Sequence, residues 1–168
     1  MSAKADAELL PAPVTAQELA QAEKLLGFAL PPMLARLYRE VANGCFGPEY
    51  QLFPLVGDGR TAVDVYHEER AESEPGDAPQ WPEGVLPILD WGCGMYAAVD
   101  CRSPEGTVLV FEPNGIEDDW PLAWYVDSAS LADWLETWLT GTGWYEEDAE
   151  PADLRHWEPA RQRLSETR

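Results

Sequence analysis

Basic residues are scarce in this sequence. Its 168 residues include 11 lysines and arginines against 31 aspartates and glutamates, which gives a formal net charge of −20 at pH 7. Nucleic acids and anionic membranes attract basic surfaces and would repel a protein of this charge, so neither is expected as a partner. Lys4 and Lys24 are the only lysines. No phosphate-binding loop with its lysine, and no Schiff-base lysine, can therefore be assigned downstream of them.

Cysteine is also rare, and long apolar runs are missing. Cys45, Cys93 and Cys101 are an odd number without a C-x-x-C pair, which argues against a disulfide framework and a four-cysteine zinc site. No apolar run approaches the ~18 residues of a membrane-spanning helix. The N-terminus lacks the basic and apolar regions of a signal peptide. We therefore expect a soluble, cytoplasmic protein.

Motifs of catalysis are few. His67 and His156 lie far apart in polar segments, and no serine stands in a G-x-S-x-G motif. Cys93, flanked by two glycines, could act as a nucleophile if a histidine approached it. The competing interpretation is a small buried apolar side chain, which is the commoner state of a free cysteine. We predict a protein without catalytic residues and without a cofactor.

Two runs of acids resemble metal ligands in composition. Residues 117–119 and 146–148 are consecutive carboxylates, and oxygen ligands are those that Ca²⁺ and Mg²⁺ prefer. Neither run has the spacing of a calcium-binding loop, and side chains of consecutive residues diverge. A glycosidase-like carboxylate pair has no specific support either. We predict no metal site.

Capping residues and apolar periodicity predict the helices. Thr15 and Glu18 form a capping-box pattern, and Thr61 and Asp64 are suited to cap a more polar helix. Ser130 precedes the fullest apolar stripe in the chain, which Gly141 ends. Helices are expected at about 15–26, 31–43, 61–72 and 130–140. The predicted buried stripes are Leu34, Leu37, Tyr38 and Val41 in the second helix, and Leu131, Trp134, Leu135, Trp138 and Leu139 in the last.

Short apolar runs between turns predict the strands. Their separators are too short for crossover helices, so neighbouring strands should pair antiparallel. The strands are expected at 85–90, 95–101, 107–112 and 122–126, with a short edge strand at 50–56 that Pro54 interrupts. Helices at both ends of an antiparallel meander predict an α+β fold. The expected organisation is a flexible leader at 1–13, a single domain at 14–145 and a C-terminal extension at 146–168.

The excess acid is concentrated in the middle of the chain. Residues 61–153 hold twenty-two acids against Arg70 and Arg102, whereas residues 154–168 hold two acids and four arginines. The acids alternate with tryptophans, so they must lie on the folded body and not on a detachable tail. A basic protein is the natural complement of such a surface. Solubility alone is the competing interpretation.

The densest acidic clusters each adjoin a tryptophan. A large aromatic side chain rimmed by carboxylates is typical of a protein interface. Trp81, Trp120, Trp124 and Trp144 lie beside proline or glycine or in turns, and we expect one or two of them to be exposed. The predicted partner-binding residues are Glu112, Glu117, Asp118, Asp119, Trp120, Trp144, Glu146, Glu147 and Asp148.

Three segments in order resemble the SUKH superfamily, which includes bacterial immunity proteins and the fungal Smi/Knr-like regulators of cell-wall synthesis. The first is LPPMLARLY at 30–38, ending at Asn43-Gly44. The second is WPEGVLPI at 81–88 with DWGC at 90–93, and the third is SLADWLETWL at 130–139. The resemblance covers roughly residues 14–141.

The resemblance implies a twisted antiparallel sheet flanked by N-terminal and C-terminal helices, and no catalytic site. It also implies a protein partner, because many bacterial members look like antidotes that bind and block a toxin, often a nuclease. Two functions stay open at this point. One is an immunity protein that neutralises a basic toxin domain, and the other is an intracellular regulatory or scaffold protein like those of the fungal branch.

Overall fold

The first helix of the computed structural model begins and ends as the sequence predicts. The structure describes residues 10–49, 51–71, 76–146 and 154–166. Helix α1 (Ala16–Leu26) is capped by Thr15, whose hydroxyl accepts from the Glu18 amide while the Glu18 carboxylate accepts from the Thr15 amide. Gly27 ends it with φ 86°, a left-handed conformation that glycine adopts without steric cost.

The second helix changes its winding halfway. Helix α2 (Pro32–Arg36) continues into a π-helical turn (Leu37–Val41). Leu34 and Tyr38 are buried as predicted, but Val41 is 45% exposed, so its predicted burial is wrong. The wider turn, closed by the Ala42 amide on the Leu37 carbonyl, adds one residue. Ala42 is therefore fully buried in place of Val41.

The strand expected at 50–56 is absent from the described residues 51–56, so that prediction is wrong. Asn43 holds this segment instead. Its side-chain amide donates to the Val56 carbonyl (2.7 Å), and its side-chain oxygen accepts from the Leu55 amide (2.8 Å). The Phe53 amide donates to the Ile88 carbonyl at 2.8 Å, and the Asn43 side chain supplies the hydrogen bonds of Leu55 and Val56 in place of a continuous strand ladder. Tyr50 lies outside the described residues.

Helix α3 (Ala62–Ala71) confirms the polar helix of the sequence. The Thr61 hydroxyl accepts from the Asp64 amide, and the Asp64 carboxylate accepts from the Thr61 amide at 3.0 Å. Val65 and Tyr66 are buried, as predicted.

The centre of the fold is a five-stranded antiparallel sheet in the order β1-β2-β3-β4-β5. The strands are β1 (Val85–Gly92), β2 (Met95–Asp100), β3 (Val108–Phe111), β4 (Trp124–Ser128) and β5 (Arg155–His156). The first three match the predicted strands, whereas β4 begins two residues later than predicted because residues 120–123 form a 3-10 helical turn. The whole confirms the α+β fold with an antiparallel sheet. A bulge where β3 pairs with β4 leaves Asp127 without a partner residue in the register.

One face of the sheet is covered by aromatic rings. Tyr96, Phe111 and Trp124 lie opposite one another in register across β2, β3 and β4, so their side chains share a face. The Trp81 ring lies within 5.7 Å of all three ring centroids and donates its Nε1 proton to the Val85 carbonyl. Trp81 and Trp124 are fully buried, which leaves Trp120 and Trp144 as the half-buried members of the four.

Helix α4 (Leu131–Thr140) has the cap and the end that its sequence predicts. Ser130 accepts from the Asp133 amide, and Gly141 closes the helix. Leu131 and Trp134 are buried, whereas Leu135 and Trp138 are half-buried. Leu139 is 76% exposed, so its predicted burial is wrong. It lies about 80° round the helix from Leu131, at the margin of the apolar face and in the last turn.

The C-terminal segment adds to both the sheet and the core. Strand β5 pairs with β4, and helix α5 (Ala160–Ser165) follows. Trp157, Ala160 and Leu164 are buried in the same core as the tryptophans of the meander. Residues 1–9, at the start of the predicted leader, lie outside the described residues.

Candidate functional site

The predicted binding residues at 112–120 lie on the loop between β3 and β4. Glu112, at the start of this loop, has a structural role. One of its carboxylate oxygens accepts from the Asn114 backbone amide at 2.8 Å and from the Asn114 side chain. Asn114 also donates to the Cys93 carbonyl at 3.1 Å, which ties the loop to the β1–β2 turn. Glu112 therefore shapes the loop that carries the other acids.

Glu117 and Asp118 are exposed, and they form no ion pair within the described residues. Asp119 differs, because its carboxylate oxygens lie 2.9 and 3.2 Å from a guanidinium nitrogen of Arg161 on α5. Both side chains of this pair are well exposed to water, so it contributes no more than about 1 kcal/mol to stability. Two of the three consecutive acids thus have no ion-pair partner among the described residues.

Trp120 is only partly available as an aromatic anchor. Its ring centroid lies 6.4 Å from that of Phe111, and the side chain packs against the core. The remaining surface borders a groove of about 360 Å³ that also contacts Asp118, Asp119 and Arg161. The sequence placed Trp120 beside acids, and the structure adds a basic neighbour from the C-terminal segment.

Trp144 is fixed by a buried carboxylate that the sequence analysis missed. Its Nε1 donates to Asp127 Oδ2 at 2.9 Å, and Trp134 Nε1 donates to the same oxygen at 3.1 Å. Ser128 donates to the other oxygen. Burial raises the pKa of Asp127 above its ordinary value, although these hydrogen bonds oppose the shift. Because the indole N–H of Trp144 is already bonded to Asp127, it is not free to donate to a partner, and the bond fixes the orientation of the ring.

Two further aromatic residues complete this corner. The Trp91 ring stacks on Tyr145 with centroids 4.9 Å apart, and it meets Trp144 edge-on at 5.3 Å. Burial raises the pKa of Tyr145 to about 12, so its hydroxyl remains protonated at neutral pH. Trp91, Trp144, Tyr145 and Asp127 form the aromatic corner. Only the fold could reveal it, because its members come from β1, β4 and the segment after α4.

A surface groove lies beside the aromatic corner. It has a volume of about 580 Å³ and lies between residues 47–49 and 51 on one side and the end of α4 on the other. Leu139 and Trp138 supply apolar surface, and Glu49 and Glu146 supply carboxylates. We call it the α4 groove. Glu146 is among the predicted binding residues, whereas Glu49 is not, because its isolated position in a loop gives no signal. Glu147 and Asp148, also selected, lie outside the described residues.

The arginines near the C-terminus bind acids of the body. Arg163 contacts both oxygens of Asp100 at 2.9 and 3.0 Å, with both side chains only about one-tenth exposed (10% and 11%). Its guanidinium also lies over the Trp157 ring. Arg102 pairs with Glu166 at 2.9 Å. The basic end of the sequence is therefore used to fasten the last helix to the acidic body.

Cys93, the candidate nucleophile, and the histidines His67 and His156 lie beside groups that do not form a catalytic pair. A ring nitrogen of His67 lies 3.1 Å from the Leu25 carbonyl, and the His156 ring stacks on Tyr125. Cys93 is exposed in the β1–β2 turn, so its predicted burial is wrong. A turn with φ 53° at Cys93 between two glycines directs the thiol outward. Across the described ranges, no three histidine, cysteine or acidic side chains are grouped closely enough to hold a metal ion.

Comparison with protein families accounts for most of the chain. The model of the SMI1 / KNR4 family (SUKH-1) matches residues 13–137. The chain belongs to this family. SUKH domains in general are protein-binding and non-enzymatic, and the family includes immunity proteins and regulators of the Smi/Knr type. A search of the curated proteins gave no match. The matched range ends before the α4 groove is complete and before β5 and α5.

No helix in the part of the chain that the structure describes has the length and apolar character needed to cross a membrane.

Proposed function

We propose that this SUKH domain is an immunity protein that binds a toxin domain with a basic surface and neutralises it by covering that surface. The observation that carries the proposal is the uncompensated negative surface of the folded body. The chain has a net charge of −20, and its few arginines are largely occupied by particular carboxylates, as in the pairs Arg163–Asp100 and Arg161–Asp119. Glu117 and Asp118 keep their charges for a partner.

The chemistry of the expected partner supports this choice. A nuclease toxin must present cationic side chains to hold the phosphates of its substrate. An acidic protein is steered toward such a surface at long range, and it can also cover it. The proposal requires no chemistry from the immunity protein itself, since occlusion of the substrate site is sufficient.

The proposed contact surface comprises the 117–120 loop and the acids that follow Trp144. Glu117 and Asp118 would act as rim charges that accelerate encounter, while Trp120 offers the apolar surface beside them. Glu112, Asp119 and Trp144 would act by holding this surface in place, in view of their hydrogen bonds. Glu146, which lines the α4 groove, would add a further acid to it, and Glu147 and Asp148 remain predicted contact residues that lie outside the described residues.

The test is growth rescue combined with association kinetics. The chain is co-expressed with the toxin domain encoded by a neighbouring gene, and binding to an inactivated form of that toxin is measured at two salt concentrations. We expect wild-type rescue and slower association at higher salt, because the Debye length falls from about 10 Å at 0.1 M to about 3 Å at 1 M. Glu117→Lys with Asp118→Lys should slow association about tenfold and change dissociation little.

A matched control makes the same charge change elsewhere. Glu83 and Glu105 are exposed at the opposite end of the sheet from the 117–120 loop. Their double reversal to lysine should reduce association less than the reversal of Glu117 and Asp118. Equal effects would mean that total charge alone matters. If association does not depend on salt and both double variants rescue growth fully, the acidic surface serves solubility alone and the proposed contact surface is wrong.

An intracellular regulatory or scaffold protein is the second candidate, because the family also contains such members. The two functions differ in their genomic setting and in the lethality of the partner. A toxin gene next to this one favours the immunity protein. A chain that binds a non-toxic intracellular protein, and fails to rescue cells from any neighbouring toxin, favours the regulator.

A further inference from the structure

The α4 groove combines an exposed apolar side chain with free carboxylates. Leu139 is 76% exposed on α4, which is unusual for a leucine in the most apolar helix of the chain. Glu49 and Glu146 lie at the same groove and form no ion pair or side-chain hydrogen bond within the described residues. No lysine, arginine or histidine is among the described residues that line it.

Two other grooves differ in the state of their carboxylates. The groove between α1 and α3 is also bordered by an exposed leucine, Leu25 (54%), but its acids Glu18 and Asp64 accept hydrogen bonds in helix caps. The groove beside Trp120 already contains Arg161, paired with Asp119. Of these three, the α4 groove is the one where both lining acids have no ion pair or side-chain hydrogen bond among the described residues, since in the groove beside Trp120 that is true of Asp118 alone.

Hydrogen bonds and ring contacts tie both walls of the α4 groove to the rest of the fold. On one side, Cys45 donates to the Leu52 carbonyl at 2.9 Å and Leu52 donates to the Phe46 carbonyl at 2.8 Å, which closes the loop that contains Glu49. Gln51 in this loop has φ 63°. On the other side, the aromatic corner holds Tyr145 through Trp91. A preformed groove loses little conformational entropy on binding.

We propose that the α4 groove receives a loop of the basic partner that presents an arginine or lysine next to an apolar side chain. The apolar side chain would contact Leu139 and Trp138, and the cation would lie between Glu49 and Glu146. This rests on the proposed function for the basic nature of the partner. A second copy of the chain is disfavoured as the occupant, because it carries the same charge of −20. The groove volume of about 580 Å³ can hold several side chains.

The first arm of the test uses a peptide, so that it does not depend on the toxin. The isotope-labelled full chain is titrated with the capped peptide Gly-Arg-Leu-Arg-Gly, and amide shifts are followed by NMR. We expect shifts at 47–51 and 138–146 that are absent with the capped peptide Gly-Glu-Leu-Glu-Gly. Leu139→Ser should weaken the peptide about fivefold or more, and Leu25→Ser should leave it unchanged. Shifts located elsewhere, or no shifts at millimolar peptide, would overturn the proposal.

The second arm uses the inactivated toxin domain of the rescue assay. Leu139→Ser should raise the dissociation rate about fivefold or more, and Glu49→Lys with Glu146→Lys should also slow association. Leu25→Ser serves as the matched exposed leucine and should change neither rate. If wild type rescues but Leu139→Ser binds like wild type, the groove assignment is wrong and the immunity function stands. If wild type binds no toxin while the peptide maps to the groove, the function is wrong and the groove stands.

The integrity of the variants can be checked independently. Leu139 is exposed, so Leu139→Ser should leave the melting temperature within a few degrees of wild type. Sedimentation of wild type should give a monomer. A wild-type dimer that Leu139→Ser dissociates would show that a second copy occupies the groove and would overturn the proposal.

Discussion

On the Trp81 face of the sheet the rings of Trp81, Phe111 and Trp124 are enclosed, whereas at the end of α4 a leucine and two carboxylates face water. In the first region Trp81 makes edge-on contacts with Phe111 and Trp124. Arg163 forms an ion pair with the buried Asp100 in the same region. The second exposes Leu139 between Glu49 and Glu146. The two regions contain similar types of side chain, and they differ in whether those side chains contact each other within the described part of the chain.

The first region stabilises the fold, and the second is the surface proposed to contact a partner. In the first region, aromatic rings pack on other rings and buried charges pair with opposite charges. These interactions form when the chain folds. In the second region, an exposed apolar side chain lies next to carboxylates that have no ion pair among the described residues. Such a surface is available for contact with a partner. Mutations in the first region should therefore unfold the protein, and mutations in the second should leave it folded.

The largest expected effect is the loss of Trp81. Trp81→Ala should cost about 3–5 kcal/mol of unfolding free energy, because it removes a fully buried ring and leaves the Val85 carbonyl without its indole donor. Trp138 is half-buried, so Trp138→Ala should cost less than half as much. Denaturant unfolding of both variants gives the comparison. Equal costs would mean that α4 is as tightly packed as the Trp81 face.

The second prediction compares two arginines of α5. Arg163→Met should cost about 3 kcal/mol, because it leaves the carboxylate of Asp100 buried without its cation. Arg161→Met should cost less than about 1 kcal/mol, since its pair with Asp119 is exposed. Adding Asp100→Asn to Arg163→Met should restore part of the loss. A similar small cost for both single variants would show that α5 is not fastened by the buried pair.

The third prediction concerns the buried carboxylate of the aromatic corner. The pKa of Asp127 is raised in the folded protein, so the folded chain binds this proton more tightly than the unfolded chain, whose value is about 3.9. Stability from this group is therefore full below the unfolded value, is lost as pH rises through the raised pKa, and is level above it. Asp127→Asn should lack this slope.

The measurement for Asp127 is the difference in unfolding free energy between wild type and Asp127→Asn from pH 4 to pH 8. Wild type should lose stability relative to the variant as pH rises over the lower part of this range. A difference that stays constant over the whole range would contradict the raised pKa.

The smallest expected effect is on the open surface. Glu117→Lys and Asp118→Lys should each change the unfolding free energy by no more than about 0.5 kcal/mol, because neither side chain has an ion-pair partner among the described residues. Thermal melts of the single variants measure this. A loss above about 2 kcal/mol would place these acids in the stabilising region and remove them from the proposed contact surface.

Helix termini and the main strands could be predicted because their signals are local. Thr15 with Glu18, Thr61 with Asp64, and Ser130 each act on backbone amides a few residues away, so the sequence contains both partners of each cap. The order of short apolar runs also fixed antiparallel pairing, since their connections are too short for anything else. Local charge density also selected Glu117 and Asp118 as predicted partner-binding residues, and the structure shows both to be exposed.

The interactions that join distant segments could not be predicted in this way. Asn43 replaces a strand at 51–56, and Asp127 binds two tryptophans that come from α4 and the segment after it. An arginine-rich end on an acidic chain was a signal for docking of α5, but its partner Asp100 is 63 residues away. Pairing across such distances depends on the register of the sheet, which apolar patterns do not specify.

By itself the sequence determined that this protein is an acidic α+β domain of the SUKH type, because composition, caps and short apolar runs act locally or over the whole chain. Only the tertiary structure decided which acids form ion pairs or hydrogen bonds within the molecule and which have no such partner among the described residues. It also decided that Leu139, although part of a regular apolar stripe, lies outside the core. The physical reason is that burial and charge pairing depend on neighbours in space, and those neighbours are set by the packing of segments far apart in the chain.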